Sequence, residues 1–400
     1  MPKLWEKGYS LDSLVELFTV GKDFLTDMRL IKYDVVASMA HAEMLTRVGY
    51  LSREEFEELK VALEKLLKLI ETSQFSISPS EEDCHTAIEN FLVREVGDTA
   101  KKIHTARSRN DQVLTALRLL YKDQLREVEQ LIQQLQKQLK LFSSKFGKIK
   151  FAGFTHTRKA MPTDFKTWSM AFYDALSDDI KLLKVTFELI DQCPLGTGAG
   201  YGIPAKIDRR FTATRLGFRK VQKNPIHAQL SRGKYEFLLL HVLSQISFDL
   251  NRFASDIIFF SLPEIGYLVL PKELCTGSSL MPHKLNPDPL ELVRAYHNRI
   301  VARQMECVMI VDNLITGYHR DMQLLKEIVL ESFDIVRQLL LVMGLVFGKL
   351  KVNRKKCEES LTEEVLSTER VYRLVGKGIP FRDAYKIVAQ ELGVREDEKT

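Results

Sequence analysis

Residues 275–288 have the clearest potential for chemistry, because they place a glycine, two serines, a lysine and an asparagine between two apolar segments. Gly277 permits backbone conformations that other residues rarely adopt, and Pro282 lacks the N–H group that a continuing helix needs. Ser278 and Lys284 are therefore predicted to lie on a mobile, non-helical segment. A loop that carries a hydroxyl, an ammonium and a carboxamide suits a lid that closes over an anion. On this stretch alone, an ordinary surface turn is the alternative.

Two further polar clusters stand beside apolar segments, Ser108-Arg109-Asn110 and Thr155-His156. The guanidinium group of an arginine and the backbone amides at a helix N-terminus both bind carboxylate oxygens, so the first cluster suits a dicarboxylate. An isolated histidine such as His156 is more often a structural hydrogen-bonding residue than a catalyst. Neither cluster is diagnostic alone, but all three polar stretches could line one cleft.

Long helices must position these clusters. Apolar residues recur at helical spacing in five segments, which lie at about 113–139, 163–190, 235–260, 290–311 and 324–350. Residues 235–260 are apolar on nearly all sides, which predicts a central helix enclosed by other helices or by other subunits. Strand signals are few, and the pattern predicts an all-α helical bundle.

Shorter patterns fill the remaining chain. Residues 11–70 read as amphipathic helices, with Ser52 and Glu55 in capping-box positions, and residues 81–86 are predicted to begin another helix. The glycine-rich run 196–202 superficially resembles a nucleotide-binding loop, but it follows a predicted helix and lacks the required glycine spacing, so we interpret it as a turn. Past Lys351, short charged helices predict a small third module.

Composition narrows the classes of function. A chain of 400 residues predicts two or three packed modules. The net charge of +5 is small and spread out, which argues against nucleic-acid or membrane binding. Five scattered cysteines argue against a zinc cluster or a disulfide framework, and residues 1–7 contain no apolar signal core. We expect a soluble cytoplasmic protein.

Taken together and in order, the three polar stretches resemble the signature regions of the fumarase/aspartase superfamily of lyases. The match at 277–287 reads Gly-Ser-Ser-Leu-Met-Pro-His-Lys-Leu-Asn-Pro and fits every fixed position of that motif. The run 105–112, Thr-Ala-Arg-Ser-Arg-Asn-Asp-Gln, resembles the argininosuccinate lyase branch in particular. Further matches lie at 82–86, 153–156, 194–199 and 318–323, with Lys326, and the resemblance runs from about Asp34 to Tyr385.

The resemblance implies an all-α, three-domain lyase fold with a central long-helix bundle that forms a twenty-helix core in a homotetramer. The expected domains are an N-terminal helical domain at 1–107, the bundle at 108–350 and a shortened C-terminal domain at 351–400. Active sites would be assembled from three chains. No metal or cofactor is implied, and the partner is a small-molecule substrate.

The implied reaction is the β-elimination of argininosuccinate to L-arginine and fumarate. By resemblance, Ser278 is the base, His156 assists proton transfer, and Lys284 is a donor that meets the charge developing on a substrate carboxylate. The resemblance also implies a set of substrate-binding residues: Ser38, His85, Ser108, Arg109, Asn110, Thr155, Asn286, Tyr318, Gln323 and Lys326.

Some positions depart from the family pattern, namely Arg158, Gly233, Lys234, His283 and Leu285. Two alternatives therefore stay open. One is a sister lyase that releases fumarate from another adduct, such as adenylosuccinate. The other is a structural relative without activity, similar to the lens crystallins of this superfamily.

Overall fold

The structure is a computed structural model that describes residues 11–393, and α-helices make up most of this range. The predicted absence of a signal sequence concerns residues outside the described range. In chain order the helices are α1 (Ser13–Val20), α2 (Asp23–Thr26), α3 (Ile31–Arg47), α4 (Arg53–Glu71), α5 (Cys84–Val96), α6 (Asp98–Lys101), α7 (Arg109–Phe146), α8 (Phe165–Ile190), α9 (Arg209–Arg215), α10 (Pro225–Leu230), α11 (Lys234–Phe260), α12 (Asp288–Val311), α13 (Leu325–Lys349), α14 (Arg354–Glu359), α15 (Ser367–Val375) and α16 (Phe381–Glu391). The predicted all-α fold class is confirmed.

Five of these helices, α7, α8, α11, α12 and α13, correspond to the five predicted long segments, with ends displaced by a few residues. The longest is α7 with 38 residues, so it spans about 57 Å at 1.5 Å per residue. Among residues 11–393, no helix combines the length and the apolar character needed to cross a bilayer.

Two helix starts follow the capping signals in the sequence. At α4 the Ser52 hydroxyl accepts from the Glu55 amide at 3.1 Å, while the Glu55 carboxylate accepts from the Ser52 amide at 2.9 Å. At α5 the Asp83 carboxylate accepts from the Thr86 amide at 2.9 Å. Such caps satisfy amide groups that have no partner inside the helix. They confirm the predicted capping box and the predicted helix start in residues 81–86.

The described chain also contains eight short strands: β1 (Lys150–Thr155), β2 (Arg158–Asp164), β3 (Gln192–Cys193), β4 (Lys220–Val221), β5 (Leu268–Val269), β6 (Thr276–Gly277), β7 (Leu285–Asn286) and β8 (Lys351–Val352). Antiparallel pairs join β1 to β2, β5 to β8 and β6 to β7, whereas β3 and β4 are parallel. The predicted start of a helix at Thr163 was two residues early, because Thr163 lies in β2.

The chain divides into two compact units. Unit 1 comprises the described residues up to Val128 with Leu182–Val242 and Val301–Phe333, and unit 2 comprises Glu129–Lys181, Leu243–Ile300 and the described residues from Asp334. Each boundary falls inside one of the five long helices. The division into domains at 1–107, 108–350 and 351–400 stays a prediction.

Arg118 on α7 organises the interior of unit 1, where its side chain is only 1% exposed. Its guanidinium donates to the Gln192 carbonyl at 3.0 Å and to the Ser231 hydroxyl at 2.7 Å, and it stacks on the Tyr235 ring at 4.7 Å. A buried guanidinium needs such acceptors to offset the loss of water. Arg118 therefore ties β3 and the start of α11 to α7.

Unit 2 has an aromatic interior. The Phe253 ring stacks on Phe172 at 3.6 Å between centroids and lies 5.4 Å from Trp168 and 4.4 Å from Phe347. Aromatic side chains bury large apolar areas, so they contribute strongly to packing. The same interior extends to the β1–β2 hairpin, because Phe151 contacts the rings of neighbouring residues of this unit.

Two leucines on α7 test how unit 2 is packed. Leu139 is fully buried, whereas Leu141 is 61% exposed. We expect Leu139→Ala to lower the free energy of unfolding by about 2–5 kcal/mol, because it leaves a cavity in the core. The matched Leu141→Ala variant should change it by less than about 0.5 kcal/mol. Urea unfolding followed by circular dichroism measures both, and equal losses would contradict the packing described for α7.

Candidate active site

Unit 1 contains a cavity of about 200 Å³ whose lining is dense in charge. It collects six of the residues predicted from the sequence, which come from three separated parts of the chain. They are His85, Arg109, Asn110, Tyr318, Gln323 and Lys326. Other lining residues include Asp23, Asp27, Glu82, Asp83, Arg232 and Arg320. A small polar molecule with charges of both signs is the ligand that such a lining favours.

His85, at the start of α5, is held by a carboxylate on α3. Its Nδ1 lies 2.6 Å from Asp34 Oδ2, and both side chains are buried. The Gln112 amide on α7 donates to both oxygens of Asp34, at 2.9 and 3.0 Å. Burial disfavours the imidazolium, but the carboxylates of Asp34, Asp83 and Asp27 together outweigh burial and raise the pKa of His85. The Nε2 atom of His85 is buried and has no hydrogen-bond partner among the described residues.

Lys326 lies beside two acids, and its side chain is 6% exposed. The ammonium is 2.7 Å from Asp27 and 2.9 Å from Asp23. Burial lowers the pKa of Lys326, but the Asp27 and Asp23 carboxylates have the larger combined effect and raise it. Burial also raises the pKa of Asp23 to about 6, although Lys326 acts in the opposite direction. Lys326 is therefore a fixed cation in the cavity wall.

Arg109, the first residue of α7, forms an ion pair with Asp83, the residue that caps α5. Burial raises the pKa of Asp83, but the charges of His85 and Arg109 and the Thr86 amide outweigh burial and lower the pKa to about 2. This pair fixes the relative positions of two helix starts at the cavity. The neighbouring Glu82 lies 3.6 Å from the same guanidinium.

A buried carboxylate organises the loop that precedes α7. Asp111 accepts from the Ser108 amide at 3.0 Å and from the amides of Gly196 and Gly198 at 3.0 and 2.8 Å. The glycine-rich run is thus a turn, as predicted, but it follows strand β3 and not a helix, so that part of the interpretation was wrong. At the helix start the Asn110 amide donates to the Ser108 hydroxyl at 3.3 Å.

Ser38, which was predicted to bind substrate, is not among the residues that line the cavity. It is fully buried on α3 and accepts a hydrogen bond from Arg107 at 2.8 Å. Arg107 keeps two guanidinium nitrogens without a partner in the described structure. Next to it, His41 is bonded to the Thr105 carbonyl at 2.8 Å, and burial together with the Arg107 charge lowers the pKa of His41 to about 3.

The third part of the cavity wall precedes α13. The Tyr318 ring lies 5.1 Å from the buried Arg232 guanidinium, which has two nitrogens without a partner among the described residues. The Gln323 side chain donates to the Thr19 carbonyl at 3.0 Å, and Arg320 donates to the same carbonyl at 2.7 Å. Gln323 therefore secures the end of α1 at the cavity.

The predicted pair Thr155 and His156 lies in unit 2, at the tip of the β1–β2 hairpin, where both residues are exposed. His156 and Thr157 have φ values of 51° and 57° and form a two-residue turn. Such turns usually contain Asn-Gly or Gly-Gly, and neither pair occurs here, so no hairpin was predicted at these residues.

The 275–288 loop also belongs to unit 2 and forms a β-hairpin tip, in which β6 pairs with β7. The Ser278 hydroxyl accepts from the amides of Leu280 and Met281, at 3.3 and 3.0 Å. Lys284 is exposed, whereas Asn286 is partly buried in β7. The predicted non-helical conformation is confirmed.

Within residues 11–393, Asp27, Cys84 and His85 place potential metal-ligand atoms within 4.8 Å of one another. These atoms have other roles. Lys326 already neutralises Asp27, and Asp34 binds His85 Nδ1. Burial and neighbouring carboxylates raise the pKa of the Cys84 thiol well above its ordinary value, so the thiolate that a metal needs is disfavoured. We interpret the group as part of the ion-pair network.

The sequence had singled out neither Asp34 nor the pair Asp23 and Asp27 as site residues. Asp27 and Lys326 are 299 positions apart, and Asp34 and His85 are 51 apart. No local pattern links such positions. The only available signal for Asp34 was that the family resemblance begins close to it.

Comparisons with known proteins identify the family of the chain. The model of the family described as "Lyase" matches residues 8–302. The argininosuccinate lyase of Thermotoga neapolitana is 64% identical over 395 residues, which cover 99% of each chain. The argininosuccinate lyase of Bacteroides thetaiotaomicron is 38% identical over 98% of this chain and 87% of its own.

Among solved structures, the class II fumarase of Schistosoma mansoni matches with a TM-score of 0.79 at 16% identity, covering 98% of this chain and 93% of the fumarase. At that identity the match supports the fold alone. The relatives found by sequence support more than the fold, because they match nearly the whole length of the chain. The chain therefore belongs to the lyase family, within its argininosuccinate lyase group.

Proposed function

We propose that this carbon–nitrogen lyase cleaves argininosuccinate to L-arginine and fumarate, a step of arginine biosynthesis. The observation that carries the proposal is the charge pattern of the cavity in unit 1. Argininosuccinate has three carboxylates, one ammonium and one guanidinium. The cavity offers Arg109, Lys326 and Arg232 to the carboxylates, and Asp23 and Glu82 to the cationic groups. Such complementary charges recognise a substrate of both signs.

The proposed reaction begins with loss of a proton from the carbon beside a succinyl carboxylate. Ser278, which has released its own hydroxyl proton to solvent, takes this proton as an alkoxide, and the electron pair moves into the carboxylate to form an enediolate-like dianion. Lys284 and Asn286 donate hydrogen bonds to that charge. The exposed amide-rich tip around Ser278 supports this role, because it already places two N–H groups against the hydroxyl oxygen.

The second step breaks the bond between the succinyl carbon and the guanidino nitrogen. The electron pair leaves with nitrogen, which takes a proton and becomes the guanidinium of arginine, while the carbon skeleton departs as fumarate. We assign assistance of this proton transfer to His156 and carboxylate binding to Thr155 and Ser108. Tyr318 and Gln323 contribute to the subsite for the arginine half. Ser38 contributes by holding the Arg107 side chain.

We further propose a cytoplasmic homotetramer in which several chains complete each active site. The exposed positions of His156 and Lys284 within a single chain support this arrangement. Exposed apolar side chains on the long helices, such as Leu341 and Leu345 on α13, support burial against other chains.

The assignment of argininosuccinate as the substrate predicts the outcome of an assay with four candidate substrates. Purified enzyme is offered argininosuccinate, adenylosuccinate, malate and aspartate at equal concentration, and fumarate absorbance is followed. We expect release from argininosuccinate to exceed the others by a factor on the order of 10⁴, because unpaired polar groups in a charged site penalise the wrong substrate. Preference for adenylosuccinate would favour the sister lyase, and no release from any compound would favour the inactive structural relative.

The assignment of Ser278 as the base predicts the effect of removing its hydroxyl group. Ser278→Ala should lower kcat for argininosuccinate by about 10²–10⁴-fold, which is the usual contribution of a general base. The exposed Ser144 on α7 bonds only to a backbone carbonyl among the described contacts, and Ser144→Ala serves as the matched control with unchanged kcat. Circular dichroism establishes that both variants fold. Full activity of Ser278→Ala would refute the assignment.

A further inference from the structure

The hydrogen bond between Asp34 and His85 fixes the orientation of both side chains. Asp34 is fully buried and receives four contacts, one from His85 Nδ1, two from the Gln112 amide and one from the Cys84 thiol at 3.8 Å. These residues belong to α3, α5 and α7 in unit 1, and of the four only His85 lines the cavity. The carboxylate is therefore fixed in orientation, and it fixes the imidazole in turn.

The hydrogen-bond partners determine where the protons of His85 lie. An ionised carboxylate only accepts, so Nδ1 must carry a proton toward Asp34. The two side chains also stabilise each other's charge, because the Asp34 pKa is lowered despite burial and the His85 pKa is raised despite burial. In the charged ring the second proton lies on Nε2, a buried atom without an acceptor among the described residues. A buried N–H group in a cavity wall requires an acceptor from elsewhere.

Other charges around His85 favour the same state. Asp83 and Cys84 precede it on the same chain segment, and Asp27 approaches from the turn after α2. The two acids are balanced by their own partners: Asp83 pairs with Arg109, and Asp27 pairs with Lys326. The charge of Arg107 lowers the pKa of the Asp34 carboxylate. Among these acids Asp34 is the one hydrogen-bonded to His85, and the charges of Asp83 and Asp27 also raise the His85 pKa.

We propose that Asp34 is a positioning residue that holds His85 as a doubly protonated ring, so that the Nε2–H group binds a carboxylate oxygen of the substrate. This inference rests on the proposed function, because it names the substrate group that His85 recognises. His85 thereby adds a fixed positive charge to the carboxylate subsite, while Gln112 keeps Asp34 aligned.

Nuclear magnetic resonance of protein with ¹⁵N-labelled histidine tests the protonation state directly. The chain has nine histidines, so the His85 signals are assigned by their loss in His85→Gln. We expect both ring nitrogens to be protonated at pH 7, with a midpoint above the ordinary value of about 6.5. Added succinate, a dicarboxylate probe, should shift the Nε2 signal and raise the midpoint further. A neutral ring in the wild-type protein, or no response to succinate, overturns the proposal.

Kinetics of Asp34→Asn test the positioning role. At neutral pH we expect KM for argininosuccinate to rise roughly 10- to 100-fold, the loss typical of a hydrogen bond to a charged group, with a smaller change in kcat. The rise should shrink as the pH falls, because acid restores the proton on His85. Asp123→Asn, which changes an acid that is half-exposed on α7, is the control with unchanged KM.

The two measurements separate a failure of this inference from a failure of the proposed function. A KM increase that is equal at every pH would make Asp34 a purely structural link between helices and would overturn the inference. If Asp34→Asn does not fold, the wild-type titration and the succinate response still decide it. If argininosuccinate is not cleaved at all, the proposed function fails, while the titration still shows whether Asp34 holds His85 protonated.

Discussion

Unit 1 depends on one constraint: an ionised side chain can be buried there only where an opposite charge or hydrogen-bonding groups offset its loss of water. Removing a charge from water is expensive, and only close, well-oriented partners offset that cost. Three pairs satisfy the constraint around the cavity, namely Asp34 with His85, Asp27 with Lys326, and Asp83 with Arg109. Each pair joins helices that are distant in sequence. The same pairs therefore build the fold and fix charges in the cavity wall before any substrate arrives, which is the condition for efficient electrostatic catalysis.

Local signals in the sequence predicted the parts of this arrangement that local physics controls. The five long helices follow from apolar periodicity, the start of α4 follows from the capping box of Ser52 and Glu55, and the start of α5 lies within the predicted range 81–86. The 275–288 loop was predicted from its glycine and prolines. The ion pairs were not predictable, because no sequence pattern near Lys326 indicates that Asp27 is its partner. The β1–β2 hairpin was not predictable either, because its turn at His156 and Thr157 contains no residue typical of such turns.

The predicted site residues fall into two sets that differ in setting. The set in unit 1 is enclosed by buried ion pairs, whereas Thr155, His156, Ser278 and Lys284 sit at hairpin tips of unit 2 with few side-chain restraints. In the proposed reaction the first set binds the substrate, while the second moves protons, stabilises charge and, through Thr155, binds a carboxylate. Rigid binding groups and adaptable reacting groups suit an enzyme that must close over its substrate before chemistry begins. In the proposed tetramer, different chains supply the two sets.

Mixing two inactive variants tests most directly whether different chains supply the two sets of residues. One variant carries Ser278→Ala, and the other carries His85→Gln in the cavity of unit 1. Both are unfolded, combined in equal amounts and refolded together, and fumarate release from argininosuccinate is measured. If different chains supply the two sets, random assembly leaves roughly one quarter of the sites with both sets intact, and activity returns to about that fraction of the wild-type value. If a single chain supplies both sets, no intact site forms, and a mixture as inactive as its components would contradict the account.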